Sequence, residues 1–142
     1  MSRIPLALVD TNVVVAGLLT KSEMSPAARI LDGMLSARFP FVLSEQVIAE
    51  YRAVLVRKKL QKLHGLSASE TDALLIDIVQ HAIVLVPLDK APAAPEHGDQ
   101  LLWNLLAARS DLHLVTGDKL LLAALDMKGR VLTPAQFAAL MP

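Results

Sequence analysis

Short apolar runs alternate with amphipathic stretches along the whole chain. The first run, Leu6–Val9, holds no polar residue and is closed by Asp10. A run that short and that apolar predicts a buried strand. Ser25-Pro26 opens a helix: the serine hydroxyl can cap it, and proline suits the first turn, where its missing N–H has no intrahelical partner to lose. Ala27, Ile30, Leu31, Met34 and Leu35 then share one helical face. "FPFVLS" predicts a second short strand. Ser44 caps a further helix with an apolar stripe of Val47, Ile48, Tyr51 and Leu55, which turns basic through "RKKLQKLHG" and stops at Gly65.

The alternation continues beyond Gly65. Ser67 with Glu70, and Ser69 with Asp72, have capping-box spacing at the start of the next helix. "AIVLVP" predicts a third strand, and "APAAPEHG", rich in proline and alanine, a loop. Asp99 leads the helix "DQLLWNLLAARS". "LHLVTGD" is a fourth strand running into a turn, "KLLLAALDM" is helical, "RVL" is a short last strand, and Thr133-Pro134 opens a final helix. This order predicts an α/β fold of three layers, α/β/α, with a central parallel sheet of about five strands. Residues 1–142 are expected to form a single domain.

Composition narrows the chemistry. The chain has no cysteine, which removes disulfides, zinc–thiolate sites and cysteine nucleophiles. The histidines, at 64, 81, 97 and 113, form no short metal-binding pair; only His97, in the loop beside Asp99, has an address near candidate chemistry. Formal net charge is +0 at pH 7, so affinity for a polyanion must come from a local patch. Aromatics are 4% of residues, which limits base stacking as a way to hold a single strand. No apolar run reaches the roughly 18 residues of a membrane span, and the N-terminus lacks the pattern of a signal peptide. A soluble, cytoplasmic protein is the expectation.

Four acids are placed in a way that matters. Parallel strands share a carboxyl edge, and ligands of such sheets bind beyond it. Asp10 follows the first strand directly and Asp118 follows the fourth. Asp99 opens the helix leading into that fourth strand, and Glu50 lies on or beside the apolar stripe of its own helix. Each has a purely structural reading: Asp10, Asp99 and Asp118 as caps or turn formers, Glu50 as a solvated residue or a partner of Arg52 or Lys59. Gathered on one side of one sheet, they would repel one another, which raises pKa values or demands a cation. A hard divalent ion with oxygen ligands answers that demand, and such a centre can activate water against a phosphodiester.

The same residues carry a family resemblance. "LVDTNVVVAGLL" resembles the first strand and first acid, here Asp10, of the PIN-domain family; "LSEQVIAEYRAVL" resembles the segment with the second acid, Glu50; "DQLLWNLLAARSDLHLVTGDKLLL" resembles the closing motif, with the third and fourth acids at Asp99 and Asp118. The similarity runs from about residue 5 to about 135 and looks closest to the VapC-like branch, the toxins of toxin–antitoxin pairs. It implies a Mg²⁺- or Mn²⁺-dependent endoribonuclease, with Asp10, Glu50, Asp99 and Asp118 as metal-holding and catalytic residues. It further implies Asn12 and Thr116 as supports for the acids, a cognate antitoxin as partner, and a homodimer. Many relatives have a denser acidic run before the third position, where this chain has "PEHGDQ".

Arg52, Arg57, Lys58, Lys59 and Lys62 form the densest basic stretch and are candidate contacts for RNA phosphates; the structural alternative is a solvated helix end. Lys119 and Arg109 are weaker candidates. Two other functions stay open. One is a phosphatase with Asp10 as nucleophile, although Asn12 stands where a second acid is usual. The other is a catalytically degenerate domain that binds RNA or protein.

Overall fold

The structure, a computed structural model, describes residues 4–87 and 91–142. Strand β1 (Leu6–Val9) is buried throughout and pairs in parallel with β4 (Leu112–Val115), which pairs with β5 (Val131–Leu132). The register sets Val9 beside Val115, so β1 and β4 end together. Strands β2 (Val42–Leu43) and β3 (Ile83–Val84) form a separate parallel ladder. The expected sheet of about five strands is therefore a three-stranded sheet, β1-β4-β5, and a two-stranded one. They meet at one bridge, Ala7 to Phe41, where the Ala7 N–H donates to the Pro40 carbonyl at 3.1 Å. Pro5 and Pro40 carry no N–H, so pairing cannot grow toward the starts of these strands.

Helices flank the sheet. One of them, α1 (Thr11–Leu19), is absent from the sequence expectation. Its sequence, "TNVVVAGLL", is apolar almost throughout and shows no helical stripe, yet Asp10 caps it. Helix α2 (Pro26–Leu35) packs on it at Gly17, where a Cβ would stand 2.7 Å from the Ala27 carbonyl oxygen. The expected long basic helix is two: α3 (Glu45–Leu55) and α4 (Lys58–His64). The chain breaks at Arg57, whose backbone is extended (φ −60°, ψ 135°). His64 fixes the corner: its Nε2 bonds the Leu55 carbonyl at 2.9 Å and its Nδ1 accepts the Leu66 N–H at 2.9 Å. Gly65 ends α4 with φ 74°, a left-handed conformation that suits glycine.

Helix α5 (Ala68–Val79) starts with the capping box of Ser67 and Glu70. It leads to β3, an edge whose Ile83 and Val84 are exposed. After α6 (Gln100–Ala108) and β4, the expected helix "KLLLAALDM" is a short α7 (Lys119–Leu122) and a 3-10 turn over Leu125–Met127. A tertiary contact holds that turn: the indole N–H of buried Trp103 donates to Asp126 at 3.0 Å. The last helix, α8 (Pro134–Ala138), begins at Thr133-Pro134 as expected. The core is aliphatic, with Trp103, Tyr51, Phe41 and Phe137 as its largest fully buried side chains. Arg130 supplies what α6 lacks at its C-terminus, donating to the carbonyls of Leu106, Arg109 and Leu112.

Candidate active site

The paired ends of β1 and β4 each deliver an acid. Asp10, buried, accepts the Thr11 N–H on Oδ1 at 2.8 Å; on Oδ2 it accepts the Thr116 hydroxyl at 2.8 Å and the Asn12 amide at 3.2 Å. Thr116 Oγ1 in turn accepts the Asp118 N–H at 3.0 Å and stands 3.4 Å from the Asn12 amide. A hydroxyl has one hydrogen; with N–H groups on its lone pairs, that hydrogen points at Asp10. Asn12 also accepts the Gly117 N–H, at 3.3 Å. Asp118 caps α7 by accepting the Leu120 N–H at 2.9 Å. The capping role and the site address therefore coexist in both aspartates.

Glu50 arrives from α3. The next residue, Tyr51, is fully buried and its hydroxyl donates to the Val9 carbonyl, which ties α3 to the end of β1. Asp99 closes a 3-10 turn over His97–Asp99 and makes no capping bond to α6, so its carboxylate is not spent on the helix. Its neighbour Gln100 clasps the preceding loop, bonding Ala94 N–H, the Pro92 carbonyl and Asn104.

Asp10, Glu50, Asp99 and Asp118 line one open cavity of about 410 Å³, together with Thr11, Asn12 and Arg57. Burial pushes the Asp10 carboxyl up, against the bonds from Thr116 and Thr11, and the nearby Glu50 and Asp118 push it further. Burial raises Glu50, as does Asp99, while Thr11 and Arg57 act the other way. Asp99 is raised by burial, then by Asp10, Asp118 and Glu96. The acids feel one another, as like charges around one cavity must. The Thr11 hydroxyl lies close enough to Glu50 to lower it, yet its buried Oγ1 makes no hydrogen bond of normal geometry. An orphaned oxygen beside a ring of carboxylates fits a site built for a ligand with positive charge.

The family model for the PIN domain matches residues 7–120. The chain belongs to the PIN domain family. The matched span contains all four acids of the cavity. PIN domains are generally nucleases and typically use divalent metals. No curated protein matches the chain.

The donor set of this PIN domain is all oxygen, which suits Mg²⁺ or Mn²⁺. Among the described residues, no three acid or imidazole groups are drawn together tightly enough to hold an ion where they stand. The carboxylates ring the cavity, and an ion would have to draw them inward.

The basic stretch divides. Arg57 alone of its five members lines the cavity, aimed there by the break between α3 and α4. Lys58, Lys59 and Lys62 are exposed on α4. Arg52 pairs with Asp72 at 2.8 Å, not with Glu50, on the rim of a separate apolar groove between α3 and α5. Arg109 pairs with Asp111. Thr11 is a polar wall of the cavity that sequence reasoning did not single out. The signal for it was its place directly after Asp10, as first residue of a helix that no stripe announced.

Proposed function

We propose that this PIN domain is a Mg²⁺- or Mn²⁺-dependent endoribonuclease and the toxin of a toxin–antitoxin pair. One observation carries the nuclease reading: four carboxylates from four separate segments face one open cavity that also takes a guanidinium. Asp10, Glu50, Asp99 and Asp118 would hold the ion. When bound there, it would lower the pKa of a water and offset charge on a phosphodiester.

The chain supplies the rest. Thr116, Asn12 and the Thr11 N–H fix the Asp10 carboxylate, as residues behind metal ligands commonly do. Arg57 offers the substrate phosphate a charged donor at the cavity wall. The choice of RNA rests on the resemblance to the toxin branch. An antitoxin would reach the same acidic cavity with a basic side chain. Exposed Ile83, Val84 and Val86 at the β3 edge are apolar surface that a second copy could cover, in line with a homodimer. No helix of the described residues is long and apolar enough to cross a membrane, which accords with a cytoplasmic role.

The test is cleavage of a panel of structured and single-stranded RNAs in Mg²⁺, in Mn²⁺ and in chelator. Wild type and Asp10→Asn would be compared at equal folding by circular dichroism. Metal-dependent cutting lost in Asp10→Asn is the expected result, and cutting retained by that variant overturns the assignment.

A further inference from the structure

A second cavity, of about 380 Å³, adjoins the acidic one and shares two of its walls, Asn12 and Asp118. The other walls are Val13 and Ala16 on α1, Gly117 beyond β4, and Pro134 at the start of α8. Its size falls in the range of small-ligand sites.

The chemistry of these walls is selective. Among the described residues no cation lines this cavity, and Asp118 is its one charged wall. Part of its polar capacity is engaged elsewhere, the Asn12 amide with Asp10 and Thr116, the Asn12 carbonyl with Gly117, and Asp118 Oδ1 with Leu120, which leaves Asp118 Oδ2 as an open acceptor. A phosphate here would face a carboxylate with no positive charge to offset it. A neutral ring would instead displace water from Val13, Ala16 and Pro134. Arg57 lines the acidic cavity and not this one. The two ends of the site thus differ in kind, one charged for phosphate and one apolar.

Gly117 bears on the same point. A Cβ there would meet nothing nearer than Asn12 Oδ1 at 3.9 Å, and the residue is exposed. Packing within the protein does not require glycine at 117. A side chain there would project beside the pocket wall it now leaves bare.

We infer that the pocket between α1 and α8 is a nucleoside subsite, taking the neutral sugar and base of one nucleotide next to the phosphate held over the acids. This rests on the nuclease reading above and adds an orientation: phosphate toward Arg57, nucleoside toward Ala16. Among the described residues the walls contain no aromatic ring, so the subsite holds a base without stacking.

Adenosine and inorganic phosphate would be titrated separately into the full chain, in Mg²⁺ and in chelator, and followed by methyl and amide NMR. Adenosine should shift the Val13 and Ala16 methyl resonances in both conditions, and phosphate should leave them unmoved. Ala16→Phe, at an exposed helix position, should weaken adenosine by about tenfold or more, equivalent to about 1.4 kcal/mol. Gly117→Ala should weaken it less, and neither should alter the response to phosphate. Absence of adenosine shifts at Val13 and Ala16, or full adenosine affinity in Ala16→Phe, overturns the subsite. Because adenosine carries no phosphate and needs no metal, loss of RNA cleavage with these shifts intact would refute the nuclease and leave the subsite standing.

Discussion

Replacing Tyr51 with phenylalanine removes one oxygen and keeps the ring. In β1, alternate residues face opposite neighbours: the Ala7 N–H reaches Pro40 on one side and the Asp10 N–H reaches Val115 on the other. Val9 therefore turns its carbonyl to the same side as Ala7, where pairing is limited to one bridge, and the Tyr51 hydroxyl satisfies it. Burial, then Asp10 and Glu50, push the phenol far above its ordinary pKa, so it remains a donor at every accessible pH. Tyr51→Phe leaves a buried carbonyl unpaired, at a cost of about 1–3 kcal/mol. For a chain of 142 residues this lowers Tm by roughly 3–9 °C. Thermal unfolding by circular dichroism measures the shift, and urea titration with an unchanged m-value would show that only stability moved. Because Glu50 precedes Tyr51, Mn²⁺ affinity should fall with it. A Tm within about 1 °C of wild type would refute the role given to this hydroxyl.

Other expectations follow from the same geometry. Thr116→Val strips Asp10 of a donor and the Asp118 N–H of its acceptor; cleavage should fall about 10–100-fold with a stability loss of about 1–3 kcal/mol, and unaltered kcat/KM would count against the network. Glu50 holds its proton more tightly in the folded chain than in the unfolded one, so its contribution is most favourable below the ordinary carboxylate range and is lost as pH rises through the raised value. Glu50→Gln should therefore raise Tm at pH 7 and change it little at pH 4, in metal-free buffer; an equal gain at both pH values would contradict this. Arg57→Ala should weaken RNA binding and reduce its salt slope by about 1, whereas Arg52→Ala, which breaks only the pair with Asp72, should change neither in filter binding.

Two of the four acids that line the cavity follow a strong local signal, whereas Glu50 and Asp99 were singled out by the family resemblance. Leu6–Val9 is too short and too apolar to be anything but a buried strand, so Asp10 had to stand at its end; "LHLVT" places Asp118 in the same way. Helix α1 was not legible, because an all-apolar segment with three consecutive valines has no periodicity to read, and its start is set by the Asp10 cap and its packing on α2 at Gly17. The break at Arg57 was hidden for another reason. "RKKLQKLHG" has good helix formers, and what turns the chain is tertiary: the His64 ring binds α3 and the end of α4 together. The five expected strands are present, but the size of the central sheet was overestimated, since apolar runs such as "AIVLVP" announce an extended segment but not which ladder it joins.

Among the described residues a single bridge joins the two ladders, and three of the cavity's acids fall on its two sides. Asp10, Asn12, Thr116 and Asp118 ride on β1 and β4 as one hydrogen-bonded unit, while Glu50 and Arg57 ride on the chain that leaves β2. A seam held by one bridge and one phenol is where amide hydrogens should exchange first among the strands. Any cation that must touch Asp10 and Glu50 together works as a rivet across that seam. Its arrival would be legible at a distance, as slower exchange at Ala7, whose N–H crosses from β1 to the Pro40 carbonyl and which bears no charge itself.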